Sequence, residues 1–372
     1  MIVVAYCRAG FEGEVATDLA RAAEAAGVDA QCTPVADSAY VVARLDALDL
    51  RRWRQALVDV PPIFARSVFA GSGPHALVPP GHVAGQRGGA DRVTPIVAAI
   101  EALGSSATEL WIEFADTNDG KEMSTLARAL TARIEGELRR RQLLPASAVA
   151  AGDTQPAIAP RNRKRLHVFL PDGATAYVGI SIGESGSPWP MGIPRLRMPH
   201  AAPSRSTLKL VEALITFLGD SESTKLRAGM RAVDLGAAPG GWTWQLAHRG
   251  LRVTAVDNGA LKGEVASDPL VTHVRSDGLK WRPKRQVDWV MCDIVEQPLR
   301  IAALMADWIG EGVARRALFN LKLPMKRRYD EVLRCIDAID TRLSRAGVDA
   351  TLRVRQLYHD RAEVTAYLAR VD

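Results

Sequence analysis

The stretch from Val233 to Trp242, VDLGAAPGGW, constrains the fold more than any other part of the chain. The apolar run 230–235 predicts a strand that ends in an acidic, glycine-rich turn, and a helix is predicted to open at about Trp242. Glycines let such a turn approach a ligand closely, and the helix N-terminus presents N–H groups without intrahelical partners. The spacing is not G-x-G-x-x-G, because Pro239 and the pair Gly240-Gly241 replace it. The run therefore predicts an α/β domain with a small-molecule site at a βα turn.

Strand and helix patterns alternate from Ser206 onward, which predicts a doubly wound, mostly parallel sheet. A closing hairpin adds an antiparallel edge. The predicted strands are 230–235, 252–256, 271–274, 287–292, 317–321, 351–358 and 363–370.

The 372 residues are too many for one hydrophobic core, so the sequence predicts several domains. The predicted domains are a small α+β subdomain (1–60), a second α+β domain (61–184), a linker (185–204) and the α/β domain (205–372). In the first half, a helix is predicted over 12–26, a strand over 63–70 and a Gly/Pro-rich loop over 71–89. A looser stretch, 145–161, precedes a predicted hairpin of strands 166–170 and 174–182.

The net charge is +6, and the excess is largely arginine. A basic balance favours a polyanionic partner, although any one cluster is equally consistent with solvated surface. The clusters are Arg139-Arg140-Arg141, Arg161 with Arg163-Lys164-Arg165, Arg195 with Arg197, and Lys326-Arg327-Arg328.

The sequence contains no apolar run of the roughly 20 residues that a membrane helix needs. Its first residues form a strand-like run without a basic leader, and its four cysteines show no paired metal-type spacing. These features predict a cytoplasmic protein with reduced thiols and no membrane contact.

Acidic residues follow three of the predicted strands, at the sheet edge where ligands bind in such folds. Asp257 lies 23 residues after Asp234, a suitable distance for an acid that accepts hydrogen bonds from ribose hydroxyls. Asp277 could accept from an adenine amino group, and Asp293 ends a further strand. One such aspartate is usually a turn former. Three of them behind a glycine-rich turn favour a cofactor site.

Three further charged residues stand out. Lys322 ends an apolar strand, Lys209 lies one turn into the helix that starts near Ser206, and Glu363 opens the last strand. Each has an ordinary explanation: a lysine can extend to water, and a carboxylate can lie on an edge strand. Together with Asp293, however, Lys209, Lys322 and Glu363 resemble the Lys-Asp-Lys-Glu tetrad of the FtsJ-like RNA ribose 2′-O-methyltransferases. The turn at 233–242 resembles the first motif of S-adenosylmethionine-dependent methyltransferases.

The resemblance is closer to the bacterial members of that group that act on 23S ribosomal RNA. It rests on strings that span nearly the whole chain; Ala238 is one small departure, because the closest pattern often has cysteine there. The strings are CRAGFE (7–12), DRVTPI (91–96), ADTN (115–118), MGIPRL (191–196), APSRSTLK (202–209), NLKLPMK (320–326) and QLYHDR (356–361).

That resemblance implies a Rossmann-like methyltransferase domain preceded by an N-terminal region with an RNA-binding THUMP domain. It implies 2′-O-methylation of one cytidine of 23S rRNA, free or in an early large-subunit precursor, with S-adenosylmethionine as methyl donor and no metal. Lys322 would be the proton acceptor. A monomer is expected, although the sequence does not fix the oligomeric state. The residues implied or predicted to contact the cofactor are Ser206, Gly236, Ala238, Pro239, Gly240, Gly241, Trp242, Asp257, Asp277 and Asp293.

The chemistry of the tetrad residues agrees with this interpretation. A ribose hydroxyl is a poor nucleophile at neutral pH, so the enzyme must align it and help to remove one proton. A lysine can act as the base if burial or a second cation such as Lys209 lowers its pKa towards about 7–8. Asp293 and Glu363 would instead raise the pKa of Lys322. The sequence leaves the net direction open.

Other functions share some of these features. An NAD(P)-dependent oxidoreductase would share the strand–turn–helix but not the Pro-Gly-Gly turn. A small-molecule methyltransferase would have no use for a basic N-terminal module. An RNA-binding ribosome-assembly factor with a vestigial cofactor site, or a 2′-O-methyltransferase acting on another RNA, remains an alternative.

Overall fold

The computed structural model describes residues 1–46, 49–79, 90–145, 163–182 and 187–371. The chain divides into two compact units, Met1–Pro194 and Arg195–Asp372. That boundary falls inside the segment predicted as a linker, 185–204. Within the described ranges, no helix is both long enough and apolar enough to cross a membrane.

The first unit contains one seven-stranded sheet in the order β2-β3-β1-β4-β7-β6-β5. Among the described strands of this sheet, only β5 and β6 pair in parallel. Its elements are β1 (Ile2–Tyr6), α1 (Glu12–Ala26), β2 (Ala30–Cys32), β3 (Tyr40–Leu45), α2 (Leu50–Asp59), β4 (Ser67–Ala76), α3 (Val93–Ala102), β5 (Glu109–Phe114), α4 (Asn118–Arg140), β6 (Lys164–Leu170) and β7 (Thr175–Ile182).

The continuous sheet joins the two N-terminal domains predicted from the sequence. β4 pairs with β1 on one side and with β7 on the other. The α+β character and the 166–182 hairpin agree with expectation. The proposed division at residue 60 stays a prediction.

Two local predictions in this unit were wrong, and one strand was missed. The strand predicted over 63–70 begins only at Ser67, because the buried carboxylate of Asp18 accepts hydrogen bonds from the backbone of Ile63, Phe64 and Ala65 at 2.6–3.0 Å. The predicted loop from residue 71 is strand as far as Ala76, and β2 had no sequence signal. The rest of that loop from 80, and the stretch 146–161, lie outside the described residues.

The second unit confirms the predicted Rossmann-like architecture, a mostly parallel α/β sheet in the order β10-β9-β8-β11-β12-β14-β13. The first five strands of that order run parallel, and β14 pairs antiparallel with both β12 and β13. Its elements are α5 (Ser206–Phe217), α6 (Glu222–Lys225), β8 (Arg231–Leu235), α7 (Gly241–His248), β9 (Arg252–Val256), β10 (Val271–Val274), β11 (Val287–Cys292), α8 (Pro298–Gly310), β12 (Ala314–Lys322), α9 (Arg328–Ala346), β13 (Ala350–Arg355) and β14 (Glu363–Arg370).

Helices α5 and α7 cover one face of this sheet. The core on that face contains Leu210 and Leu214 of α5, Trp242 of α7, and Leu318 of β12. Side chains two residues apart in a strand share a face, so Asn320 and Lys322 lie on the same side as Leu318. Lys209, one residue before Leu210 in α5, is thereby brought to the end of β12.

Candidate active site

The four predicted tetrad residues meet beyond the carboxyl ends of β11 and β12. Asp293 directly follows β11, Lys322 is the last residue of β12, and Glu363 is the first of β14. Lys322 and Glu363 are cross-strand partners in register. Their side chains, with those of Asp293 and Lys209, retain only 5–22% exposure. The sheet therefore brings three of the four residues together, and α5 supplies Lys209.

The charges in this cluster alternate in sign. The Lys322 ammonium donates hydrogen bonds to Oδ1 of Asp293 and to Oε2 of Glu363. Lys209 donates to the other Glu363 oxygen, Oε1, and its Nζ lies 3.9 Å from Oδ2 of Asp293. Each carboxylate thus lies between two cations, and each cation between two carboxylates.

The pKa of Lys322 shows which of the opposing influences is stronger. Burial lowers that pKa. The charges and hydrogen bonds of Asp293 and Glu363 raise it by more than burial lowers it, so the net shift is upward. Burial has the opposite effect on a carboxyl group and raises the pKa of Glu363. Lys322 and Lys209 lower that pKa by more, so it lies below its ordinary value. Without bound substrate, Lys322 is therefore a protonated lysine at neutral pH.

Asp293 is held by a chain of buried polar side chains that the sequence did not reveal. Asn320 donates from Nδ2 to Oδ1 of Asp293 at 2.9 Å, and Thr365 donates to Oδ1 of Asn320 at 2.9 Å. Asp360 lies 2.9 Å from the same threonine hydroxyl and accepts from the backbone N–H of Leu357. Asn320, Thr365 and Asp360 are fully buried. The available signal was the period-two spacing of Asn320 with Lys322 and of Thr365 with Glu363.

The loop before Glu363 is anchored to α5. Glu212, one turn after Lys209, accepts from the backbone N–H groups of Tyr358 (2.7 Å) and His359 (2.9 Å). Its Oε2 also lies 2.6 Å from Nδ1 of His359. Glu212 is 3% exposed. The same helix that supplies Lys209 therefore holds the segment that leads into Glu363.

The glycine-rich turn packs so closely against its neighbours that Gly236 and Gly241 have no room for a side chain. Gly236 and Gly240 have φ of +77° and +114°, in the region that favours glycine. A Cβ at Gly236 would lie 2.7 Å from Cγ1 of Ile294, and one at Gly241 would lie 2.3 Å from Oγ of Ser206. Ile294 also faces Gly278. Ile294, which lines this turn, carries no signal in the sequence.

The three predicted cofactor aspartates differ in their surroundings. Asp257 accepts from the N–H of Ala238 at 3.0 Å and of Gly259 at 2.7 Å, so its carboxylate is fixed beside the turn. Asp277 is exposed and accepts from its own turn, at Leu279 N. Asp293 belongs to the charged cluster. All three lie at strand ends of one sheet edge, and their cofactor contacts stay predictions.

Ser206 and Trp242 frame the start of α7. The indole N–H of Trp242 donates to the Ser206 carbonyl at 3.0 Å, while the Trp242 ring is buried in the core. Only the backbone of Trp242 is therefore left to meet a ligand. Pro239 accepts from the N–H of Lys262 at 2.9 Å. The first N–H groups of α7 have no intrahelical acceptors and point along the helix axis, as an anionic ligand group requires.

Asp234 lies beneath the same turn and is 1% exposed. Burial raises its pKa to about 7, against the hydrogen bond that Thr243 Oγ1 donates to Oδ2 at 2.6 Å.

One predicted basic cluster is not a free cationic surface. Arg165 is fully buried, pairs with Glu109 at 2.7 Å and lies over the Trp111 ring. Arg163 pairs with the same glutamate at 2.5 Å. Arg161 lies outside the described residues. Arg195, Arg197, Lys326 and Arg327 are exposed.

The donor set fits S-adenosylmethionine. S-adenosylmethionine carries carboxylate, ammonium, sulfonium and ribose groups. The site offers these groups a turn with no room for a Cβ, the N-terminus of α7, and carboxylates at three strand ends. In the part of the chain that the structure describes, no three His, Cys, Asp or Glu side chains are arranged to hold a metal ion. The expectation of metal-free chemistry stays a prediction.

Three family models match the chain. Residues 1–69 match the RlmM ferredoxin-like domain, and residues 91–182 match the N-terminal model of ribosomal RNA large subunit methyltransferase M. Residues 202–306, which contain the glycine-rich turn and Asp293, match the FtsJ-like methyltransferase model.

Similar proteins that bear the name ribosomal RNA large subunit methyltransferase M cover 77–99% of the chain. The protein of Methylococcus capsulatus is 46% identical over 370 residues, 99% of this chain and 98% of its own. That of Aromatoleum aromaticum is 44% identical, with 99% and 94% covered. That of Laribacter hongkongensis is 50% identical over 77% of each chain.

Proposed function

Since this chain belongs to the ribosomal RNA large subunit methyltransferase M family, we propose that it methylates ribosomal RNA with S-adenosylmethionine as the donor. We further propose that the acceptor is the ribose 2′-hydroxyl of one cytidine in 23S rRNA, free or in an early precursor particle. The observation that carries the proposal is Lys322, held between Asp293 and Glu363 beside Lys209, next to the Gly236–Gly241 turn.

In this proposal the turn residues hold the methyl donor. The N-terminus of α7 and Ser206 meet its amino-acid end, Asp257 meets its ribose, and Asp277 meets its adenine amino group. S-adenosylmethionine supplies a methyl group that its sulfonium already activates. The work left to the protein is alignment of the acceptor hydroxyl and removal of one proton, and alignment alone is worth roughly 7–11 kcal/mol.

Lys322 accepts that proton, so its own proton must leave first. The upward shift of the Lys322 pKa means that the neutral amine is rare in the ligand-free protein. A bound ribose would exclude water and loosen one of the two carboxylate contacts, and both changes lower a lysine's pKa. Deprotonation of Lys322 would thereby be coupled to substrate binding.

The other three members orient this base. Asp293 fixes Lys322 from the β11 side and faces the donor. Glu363 fixes it from β14. Lys209 pairs with Glu363, and in this proposal its positive charge also stabilises the developing alkoxide.

The N-terminal unit has a part in this proposal as well. We propose that residues 61–184 act as a THUMP-type RNA-binding domain of a cytoplasmic, monomeric enzyme. Residues 91–182 match the N-terminal model of an enzyme family that is named for ribosomal RNA, and this supports a contact between this unit and RNA.

The test is transfer of labelled methyl from S-adenosylmethionine to unmodified 23S rRNA, followed by mapping of the modified ribose. Wild type is compared with Lys322→Ala, and the affinity of each for S-adenosylmethionine is measured by calorimetry. We expect a single 2′-O-methylcytidine from wild type, none from Lys322→Ala, and nearly equal donor affinities.

Other outcomes separate the alternatives. The protein could bind the donor and methylate a precursor particle or another RNA but not naked 23S rRNA. The substrate would then be that particle or that RNA. Failure of wild type to bind S-adenosylmethionine would contradict the enzymatic function and favour an assembly factor. Substantial activity in Lys322→Ala would remove Lys322 as the base.

A further inference from the structure

Two apolar side chains next to the charged cluster are almost fully exposed to water. Met325 is 93% exposed and Val295 is 87% exposed, the two highest values among the large hydrophobic side chains of the described residues. Scattered exposed hydrophobic residues are ordinary. These two are not scattered, because Val295 comes two residues after Asp293 and Met325 three residues after Lys322.

The two loops that carry them start side by side. β11 and β12 are neighbouring parallel strands, and Lys322 hydrogen-bonds to Asp293 across their ends. At about 3.3–3.6 Å per residue, Val295 can lie no farther than about 7 Å from Asp293, and Met325 no farther than about 11 Å from Lys322, along the backbone. Both exposed side chains therefore lie on the loops that leave the charged cluster.

Each loop is anchored by its preceding residues. Ile294 faces inward against Gly236 and Gly278. Leu323 is 8% exposed, and its N–H donates to the Ala362 carbonyl at 2.8 Å. Val295 and Met325 are thus exposed on loops whose backbone is fixed by the preceding residues.

Cations adjoin the apolar tip at Met325. Lys326 and Arg327 follow directly and are exposed, and Arg327 has φ of +53° at the start of α9. The acid nearest Val295 in sequence, Glu296, is paired with Arg300 at 2.7 Å. An apolar surface bordered by cations matches a single-stranded nucleic acid, which offers flat aromatic bases beside phosphates.

We propose that Met325 and Val295 form a platform for the unstacked bases at and beside the target ribose, with Lys326 and Arg327 holding the adjoining phosphates. The proposal deepens the proposed function, on which it rests, by assigning base-contacting residues for the acceptor RNA. A target ribose can reach Lys322 only if its nucleotide leaves the base stack, and exposed apolar side chains replace part of the lost stacking. Methionine suits this role, because its thioether interacts favourably with aromatic rings.

The first test compares Met325→Ser and Val295→Ser with a matched control, Val371→Ser. Val371 is 62% exposed and follows β14 at the end opposite Glu363. RNA affinity is measured by fluorescence anisotropy on an unmodified 23S rRNA fragment that spans the methylated ribose. We expect each platform variant to weaken RNA binding about three- to tenfold, with the affinity for S-adenosylmethionine unchanged and Val371→Ser equal to wild type.

The second test asks whether the lost contact is to a base. The same fragment is prepared with an abasic ribose at the target position and, separately, at each neighbour. We expect the penalty of Met325→Ser to vanish with one of these RNAs, as coupling in a double-mutant cycle requires. Met325→Ser should leave the salt dependence of binding unchanged, whereas Lys326→Ala should lower the slope of log K against log salt by about one.

Several results would overturn the platform. One is a penalty that is equal on intact and abasic RNA at every position. Another is a wild-type dimer that Met325→Ser dissociates without any change in RNA affinity, since that would assign the apolar tip to a second copy. Methyl transfer is measured separately on each RNA. A protein that binds RNA with base coupling yet transfers no methyl therefore refutes the proposed function and not the platform.

Discussion

Lys322 and Glu363 are directly opposed across the antiparallel pair of β12 and β14, and two residues further along the same face Asn320 opposes Thr365. The outer pair carries charge, and the inner pair is fully buried and neutral. Because strand pairing sets both, the position of the Lys322 ammonium depends on rigid sheet geometry rather than on a loop.

Replacing Glu363 should shift the pH dependence of methyl transfer. In wild type, the raised pKa of Lys322 means that the neutral amine grows about tenfold per pH unit below that pKa, so log kcat/KM should rise with a slope of about one between roughly pH 6 and 9. Glu363→Gln removes one carboxylate that raises the Lys322 pKa. Its profile should therefore move to lower pH, while its maximal rate falls because Lys322 loses a fixed partner.

The control for this experiment is Glu311→Gln, at an exposed position after α8. Its profile should overlay that of wild type. A wild-type rate independent of pH over this range would contradict Lys322 as the proton acceptor, and an unshifted Glu363→Gln profile would contradict the electrostatic coupling.

The glycine-rich turn and the acids that follow the strands could be predicted to share one sheet edge because their signals are local. A strand that ends in a glycine-rich turn places a cradle at a sheet edge, and acids after strands 252–256 and 287–292 collect at that edge. The structure brings Lys209, Asp293, Lys322 and Glu363 into contact as the resemblance implied. Their catalytic roles stay predictions.

What the sequence could not supply depends on register and distance. The Asn320–Thr365 pair exists only because β12 and β14 pair in one register. The direction of the Lys322 pKa shift depends on how closely two carboxylates approach a buried amine. The basic run 163–165 was misleading because β6 lies between β7 and β5 inside the sheet, where Arg165 is fully buried and paired with Glu109.

Breaking the buried polar chain should reduce turnover without affecting RNA binding. Asn320→Ala removes the side chain that donates to Asp293, so Asp293 and Lys322 can drift from alignment. We expect kcat to fall about 10- to 100-fold. Thr365→Val removes the hydroxyl that contacts Asn320 and Asp360 but leaves the bond from Asn320 to Asp293, so its loss should be smaller.

Single-turnover rates at saturating RNA, beside RNA affinity by anisotropy, separate these effects. Equal losses in the two variants would mean that general destabilisation, not the orientation of Asp293, is responsible, and thermal unfolding provides the check. A normal rate in Asn320→Ala would show that the hydrogen bond from Asn320 is not needed to orient Asp293.

A methyl group at Gly236 should block the donor site. Gly236→Ala combines an unfavourable φ of +77° with a Cβ only 2.7 Å from Ile294 Cγ1. The matched control, Gly347→Ala, has φ of +64° and no atom within 4 Å of the new Cβ. We expect calorimetry to show a large loss of S-adenosylmethionine affinity for Gly236→Ala alone. Ile294→Ala added to it should restore only part of that affinity, since the backbone strain remains. Equal donor affinity in Gly236→Ala and Gly347→Ala would show that close packing at Gly236 does not matter.

Asp234 should make the stability of the protein decrease as the pH rises. Burial raises its pKa from 3.8 to about 7 in the folded state, so between those values the folded protein binds a proton that the unfolded chain releases. Asp234→Asn removes this linkage and can still accept the hydrogen bond from Thr243. The gain in unfolding free energy over wild type should therefore grow from pH 4 to 7, with an upper bound of about 4 kcal/mol at about 1.36 kcal/mol per pKa unit. Denaturant unfolding at a series of pH values measures it, with the exposed Asp349→Asn as control. A constant difference between Asp234→Asn and wild type across this range would mean that Asp234 is not linked to folding through its proton.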